Sequence, residues 1–476
     1  MKKNIIALSA IAAIFTTTVS SASTDMEARL DKMEKKISKL EKKLKKANKK
    51  LNAVKAHDAG DNIKWDIDFR TSMDSISYDM TQSGTKDQDA VLTNRLLLGM
   101  KYKTDEHISF YGTLGYNKIY GASTINTNGY ENFDWVTNET PSTDNNLRVK
   151  EAYWLYMNDT FFGKDIAWTA SIGRRPSTGG LGINYREGDK RKSALAHTVN
   201  VEFDGASFKF NLDKVTPLEG SWFKLCMGRG ITNAYQRFNE TTTGADYSSN
   251  DTLSANSDMV GFIFVPYDNG QYSIHTNYAY ANNLIGYDPK ADGTLNTAAG
   301  FTDQGDISLS TIMVKADGIG EEISDFLDET TFFASFAQSK TTPNDGHFML
   351  GSSDSETGTS AWIGVQMPCL LTDDGRIGLE WNKGSKYWRS MTYAEDTLVG
   401  SKIAARGTAI EAYWLKPLTK ALSMSVRYTK IDYDYTGSNA FFGADGTPMS
   451  IADAKAAGMD VVESASDLRV AIRYKF

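Results

Sequence analysis

Six basic residues, Arg174, Arg175, Arg186, Lys190, Arg191 and Lys192, crowd one short stretch, with only Glu187 and Asp189 among them. A second set, Arg95, Arg376, Arg406, Arg427, Arg469 and Arg473, is spread through segments of alternating polar and apolar residues, as are Lys64, Arg70 and Arg148. Guanidinium and ammonium groups gathered around a narrow aqueous passage lower the barrier for anions. Carboxylates at Asp66, Asp68, Glu151, Glu380, Glu411 and Asp467 sit in the same kind of segment. The competing expectation is that these charges pair across neighbouring strands and merely keep an interior wet.

Other chemistry finds no constellation. His57, His107, His197, His275 and His347 stand alone, none in a metal-binding spacing. Cys226 and Cys369 make neither a redox motif nor a ligand pair, and they fall in different candidate hairpins, so no disulfide is expected. Gly228-Arg-Gly lies in a strand rather than a strand-to-helix turn and is no phosphate loop. The acidic stretches around Glu131, Asp134, Glu139 and Asp144, and around Asp345, Asp354 and Glu356, offer hard oxygen donors without ordered ligand spacing. No catalytic residue, cofactor or metal site is assigned, and no nucleic-acid partner is expected.

The elements that must position the charges are strands. In the last nine residues Leu468, Val470, Ile472, Tyr474 and Phe476 share one face, while Arg469, Ala471, Arg473 and Lys475 share the other. Such a ribbon, ending on an aromatic residue, resembles the C-terminal signal by which outer-membrane barrels are recognised for insertion. Ile63, Trp65, Ile67 and Phe69 alternate in the same way with Lys64, Asp66, Asp68 and Arg70. Similar segments recur in pairs between these two. They predict an all-β fold, a transmembrane antiparallel up-and-down β-barrel of about 16 strands, with 18 as the alternative. Short turns near 104–105, 268–270, 373–375 and 418–419 alternate with long polar loops near 121–145, 176–196, 232–256, 283–305, 342–357 and 437–465. The basic stretch 176–196 is expected to be the third long loop, and its opening from Pro176 to Gly182 allows a sharp inward turn that would narrow the lumen.

The chain has 476 residues and a formal charge of −7. After the N-terminus no apolar run reaches the ~20 residues of a membrane helix. Residues 1–22 read as a secretion signal, with Lys2 and Lys3, an apolar core from Ile5 to Phe15, and small residues at Ser20, Ser21 and Ala22. Residues 23–58 predict an α-helical coiled coil. Met26, Leu30, Met33, Ile37, Leu40, Leu44, Ala47, Leu51 and Val54 form its seam, and Arg29 with Glu34 and Lys36 with Glu41 form its interhelical pairs. The alternative is a single helix lying on, or plugging, its own barrel. Residues 62–476 are the barrel.

Three stretches, Gly173–Thr178, Glu380–Trp388 and Arg406–Trp414, together with the helix before the barrel, resemble an uncharacterised family of outer-membrane barrels, domain of unknown function 3373. The resemblance implies a signal peptide and a barrel, and no function. A looser likeness to coiled-coil-bearing trimeric porins rests on architecture alone. The expectation is a porin-like channel in a Gram-negative outer membrane, with its coil in the periplasm, passing small hydrophilic solutes with a mild preference for anions. Expected partners are outer-membrane lipid and lipopolysaccharide, further copies of the chain with a trimer favoured, and the cell wall. The rival expectations are a structural or adhesive protein and a sheath around a partner, with an enzyme as the weakest.

Overall fold

The computed structural model describes residues 63–120, 147–192, 194–236, 247–249, 255–320, 323–393 and 395–476, together with Ile37. The secretion segment and the heptad seam from Met26 to Val54 lie outside the described residues, except for Ile37, which is helical and exposed. No helix among the described residues is long and apolar enough to cross a membrane.

Residues 63–476 form a closed antiparallel barrel. In chain order its strands are β1 (Lys64–Met80), β2 (Gly84–Lys103), β3 (Ile108–Ile119), β4 (Arg148–Asn158), β5 (Trp168–Arg175), β6 (Phe203–Asn211) and β7 (Trp222–Ile231). After a small separate hairpin, β8 (Ala234–Gln236) and β9 (Tyr247–Ser249), follow β10 (Ser257–Asp268), β11 (Tyr272–Gly286), β12 (Thr302–Asp317), β13 (Thr331–Pro343) and β14 (Thr357–Pro368). The last four are β15 (Arg376–Gly384), β16 (Gly407–Pro417), β17 (Leu422–Tyr433) and β18 (Val462–Lys475). Leaving out the hairpin, 16 strands pair in sequence, and β18 closes on β1 with Phe69 opposite Tyr474 and Met73 opposite Val470. Ile67 and Phe476 exchange backbone hydrogen bonds of 2.9 Å at the rim. The expected strand count and topology are those observed.

Connections sort by length. The end that holds β1's start and β18's finish carries the turns 104–107, 159–167, 212–221, 269–271, 318–330, 369–375 and 418–421. Two of these are built by one side chain each. Asp105 accepts from the N–H groups of His107 and Ile108, and Asn269 from those of Gln271 and Tyr272. The other end carries eight connections: L1 (81–83), L2 (120–147), L3 (176–202), L4 (232–256), L5 (287–301), L6 (344–356), L7 (385–406) and L8 (434–461). L1 is the short exception. L7 is a long loop that the strand-and-turn reading of the sequence left out.

The outward face is apolar. Phe69, Met73, Trp154, Ile312, Phe336, Ile363, Trp381, Ile410 and Ile472 are all exposed. An apolar belt of this size belongs in hydrocarbon, and closure leaves no unpaired strand edge there, so this is a transmembrane barrel of the outer-membrane type.

The inside departs from a wet lumen. Val199 and Val201 of L3, Met349 of L6, Met391 of L7 and Phe442 of L8 pack on Ala279, Leu284, Ile307 and Leu309 of β11 and β12. Leu181, Ile183 and Leu195 of L3 pack with Ile403 of L7 on Met313, Phe333 and Trp362 of β12 to β14. Val399 and Ala405 of L7 meet Ile76, Ala409, Ile431 and Ala465 across β1 and β16 to β18. Inward-facing apolar side chains on that wall are buried because loops cover them. Each such Leu, Ile or Phe stabilises the seated loops by about 1.5–3 kcal/mol.

Candidate functional site

L3 enters the barrel at Pro176 and turns at Gly182, whose φ is +104° and where a Cβ would overlap the Trp362 indole. One helical turn follows, α1 (Ile183–Glu187). The Asn184 side chain ties it down by accepting from the Gly182 N–H (3.1 Å) and donating to the Asp189 carbonyl (3.1 Å). Gly188 ends it in the left-handed region at φ +63°.

This turn aims three charges at the wall. Arg186 donates to Glu395 of L7 (2.8 Å) and lies 3.2 Å from Glu411 of β16. Glu187 accepts from Arg427 of β17 (3.2 Å) and faces Arg70 of β1 at 3.6 Å. Asp189 pairs with Arg473 (2.8 Å) and Lys475 (2.5 Å) of β18.

L7 is bound still more heavily. Asp396 receives Arg70 of β1, Arg95 of β2 (2.9 Å) and Arg469 of β18 (3.3 Å). Burial alone would raise the Asp396 carboxyl, yet the guanidiniums of Arg70, Arg469 and Arg95 hold it well below the usual carboxylate range. Lys402 bridges Glu380 (2.6 Å) and Glu411 (2.5 Å), and Trp362 Nε1 donates to Glu380 at 2.8 Å. Arg406 makes no ion pair with these; it donates to the carbonyls of Trp388 (3.0 Å), Thr436 (2.9 Å) and Gly446 (2.7 Å), stapling L7 to L8.

His197 of L3 sits between Ser335 of β13 (2.8 Å) and Ser360 of β14 (2.9 Å). Burial pushes its imidazole down to about 3, so it is neutral in place. Released into water it would take a proton near 6.5. The folded value is the lower one, so its contribution is complete above pH ~6.5 and is lost as the pH falls from there towards 3. The barrel should therefore melt at a lower temperature at pH 4.5 than at pH 7.5, and His197→Gln should remove part of that difference. An unchanged difference in the variant would show that His197 does not carry it.

The basic residues thus separate by place. Arg95, Arg186, Arg427, Arg469 and Arg473 are buried in ion pairs that hold L3 and L7 to the wall. Arg174 pairs with Glu202 and Asp204 at 3.3 Å. Arg376 lies at the turn end against Glu329 (2.9 Å). Lys190, Arg191 and Lys192 are exposed to the space that the loops leave. Leu468, Val470, Ile472, Tyr474 and Phe476 all lie on the outward face of the β18 ribbon.

That space is two neighbouring cavities beside L3, which share Glu151 and Lys192. One, of about 630 Å³, lies against β1 to β3 and is balanced: Asp66, Asp68, Glu151, Glu187, Asp189 and Asp396 face Arg95, Lys101, Lys190, Lys192 and Lys475. The other, of about 400 Å³, lies against β4 to β7 and β11, and is not balanced. Arg175, Arg191, Lys192, Lys209 and Lys224 line it, with Glu151 as its one carboxylate among the described residues and His275, Tyr153 and Trp222 beside them. Lys192 and Glu151 pair at 2.8 Å.

Lys209, Lys224, Asp396 and Lys402 were not singled out from sequence. The two lysines did carry a signal, since they occupy the polar positions between Phe208 and Phe210 and between Phe223 and Leu225.

No curated protein matches the chain. Solved structures similar to it include the outer membrane protein OmpT of Vibrio cholerae in a trimer form, at 10% identity, 87% of this chain, 99% of that chain and TM-score 0.46. The anion-selective porin from Comamonas acidovorans is similar at 10% identity, 87%, 100% and 0.46. OprB of Pseudomonas putida is similar at 12% identity, 89%, 96% and 0.49. The strand count and closure given above rest on this barrel's own pairing. Residues 85–476, most of the barrel, match the family described as "Protein of unknown function (DUF3373)", and the chain belongs to that family.

Proposed function

We propose that this barrel is an outer-membrane channel for passive diffusion of small hydrophilic solutes, with a mild preference for anions. One observation carries the reading. The space that L3 and L7 leave in the lumen includes a cavity whose described lining carries five cations and one carboxylate, while Arg95, Arg186 and Arg427 are spent on carboxylates. A basic lining of this kind favours anion entry and disfavours cations.

The rival reading of a sheath around a threaded polypeptide is disfavoured by the loops, which already occupy the wall from β11 round to β1. The heptads at 23–58 would add a periplasmic coiled coil, and with it a homo-oligomer, a trimer foremost.

Reversal potentials across planar bilayers test the reading. With a potassium chloride gradient around 0.1 M, where the screening length is about 10 Å, chloride is expected to be the more permeant ion. The preference should fade as salt rises. Potassium preference would reject the anion reading, and absence of any conductance would reject the channel.

A further inference from the structure

Among the described residues, Glu151 and Lys192 alone line both lumen cavities. They are bonded to each other, the Lys192 ammonium donating to the Glu151 carboxylate at 2.8 Å. On the wall the boundary between the cavities runs between β3 and β4. Tyr111 of β3 lines the balanced cavity and Tyr153 of β4 the basic one. The two are register partners, and their rings stack at 5.2 Å. In the next lumen-facing layer Thr113 lies opposite Glu151, and its hydroxyl donates to the carboxylate at 3.0 Å. Glu151 is thereby fixed on the wall where the two spaces meet.

The other end of the bond comes from L3. The backbone N–H of Lys192 donates to the Gly179 carbonyl at 3.0 Å, which ties the returning limb of the loop to its opening limb. Arg186, Glu187 and Asp189 pin the turn between those limbs to the wall. The Lys192 backbone is therefore held, while its side chain stays 41% exposed, against 10% for Glu151. An ion pair with one partner this open to water is weak and breaks readily. The adjacent pair, Lys150 with Glu202 of L3 at 2.9 Å, is the opposite case. Both of its members are buried and neither lines a cavity, so it anchors the loop.

We propose that Lys192 and Glu151 form a removable cross-bar that sets both the width and the ion preference of the passage. The proposal rests on the channel reading and names the residues that regulate it. Closed, the bar divides the lumen into a basic lane of about 400 Å³ and a balanced lane of about 630 Å³. Open, it joins the two into one passage. A swing of the lysine side chain is enough to open it, since an exposed side chain changes rotamer without any movement of the backbone. An anion entering the basic lane competes with Glu151 for the ammonium, so the permeant ion itself lifts the bar.

The test uses the full mature chain, purified in detergent and placed in planar bilayers in potassium chloride. Glu151→Gln, which keeps an acceptor for Thr113, and Lys192→Gln each break the bar. Both should raise the single-channel conductance above that of the wild type. Their effects on ion preference should be opposite. Glu151→Gln should raise the chloride-to-potassium permeability ratio and Lys192→Gln lower it, each by up to roughly fivefold, the weight of a unit charge met at ~4 Å in water. The double variant E151Q/K192Q should conduct like either single variant, because one bar is removed only once, with its ion preference back near that of the wild type. Charges acting independently give a different result: in an anion-preferring pore, Lys192→Gln would lower the conductance. Such a fall, or conductance gains that add in the double variant, overturns this inference while leaving the channel intact. Lys192→Gln, at an exposed loop position, supplies the decisive reading if the wall variant does not fold. Current in the variants but none in the wild type keeps the bar, as a plug, and removes the standing channel. If none of the four proteins conducts, both readings fall.

Discussion

Asp396→Ala should release L7 from the wall. The substitution removes the one carboxylate shared by Arg70, Arg95 and Arg469, all buried. Stripping the acceptor from a buried ion cluster costs roughly 3–5 kcal/mol, because the guanidiniums remain buried after the shared carboxylate is gone. Arg469 keeps Asp74 at 2.5 Å and Arg95 keeps Asp68 at 3.6 Å, so the wall should survive while the loop detaches. The measurable result is a folded barrel with a lower melting temperature, new protease cleavage between 385 and 406, and a larger, noisier conductance. Chloride preference should rise as well, since the lumen loses one negative charge. The sign with pH follows from the same group. A carboxyl held below its ordinary value contributes above pH ~4 and loses that contribution as pH falls through its lower folded value, so mild acid should leave L7 seated. An unaltered melting point and conductance in Asp396→Ala would refute this role.

Trp362→Ala should unseat L3 by a different route. The indole is fully buried, stands against Gly182, and packs edge-on to Phe333 at 4.9 Å and to His197 at 5.6 Å. Truncating a buried Trp costs about 3–5 kcal/mol. The same change leaves Glu380 without its indole donor. Trp362→Phe separates the two losses, since it keeps most of the packing and forfeits only the hydrogen bond, about 1–3 kcal/mol. Chemical unfolding in detergent should rank the proteins wild type, Trp362→Phe, Trp362→Ala. If Trp362→Ala matched wild type, the inner loops would not be held by this core.

The strands were legible because lipid imposes a period of two on every one of them. Trp65, Phe69, Leu468 and Ile472 could be placed outward from spacing alone, and the structure puts them there. The inner wall was less legible. Phe332 and Phe333 are adjacent, one toward lipid and one toward L3, and such a doubled apolar run marks a strand covered on both faces. Read only for its outer face, it says nothing about what covers the inner one. L7 was missed for a related reason. Its residues 385–406 mix Trp388, Met391, Val399 and Ile403 with charges, so it has neither the polarity of a surface loop nor the alternation of a strand. Which cations would be neutralised could not be read either, because Asp396 meets Arg70 and Arg95 across some three hundred residues of chain.

The position of Asp396 also bears on the order of assembly. Its three guanidiniums belong to the first, second and last strands, on both sides of the join between β1 and β18. That join is the contact with the greatest separation along the chain and so the slowest to find. L7 cannot reach its seat until the two ends of the ribbon have met, and once seated it fastens them like a clasp over a seam. Loss of Asp396 should therefore leave the rate at which the ends meet unchanged and speed the reopening of the seam, because a contact made only after the join slows its undoing.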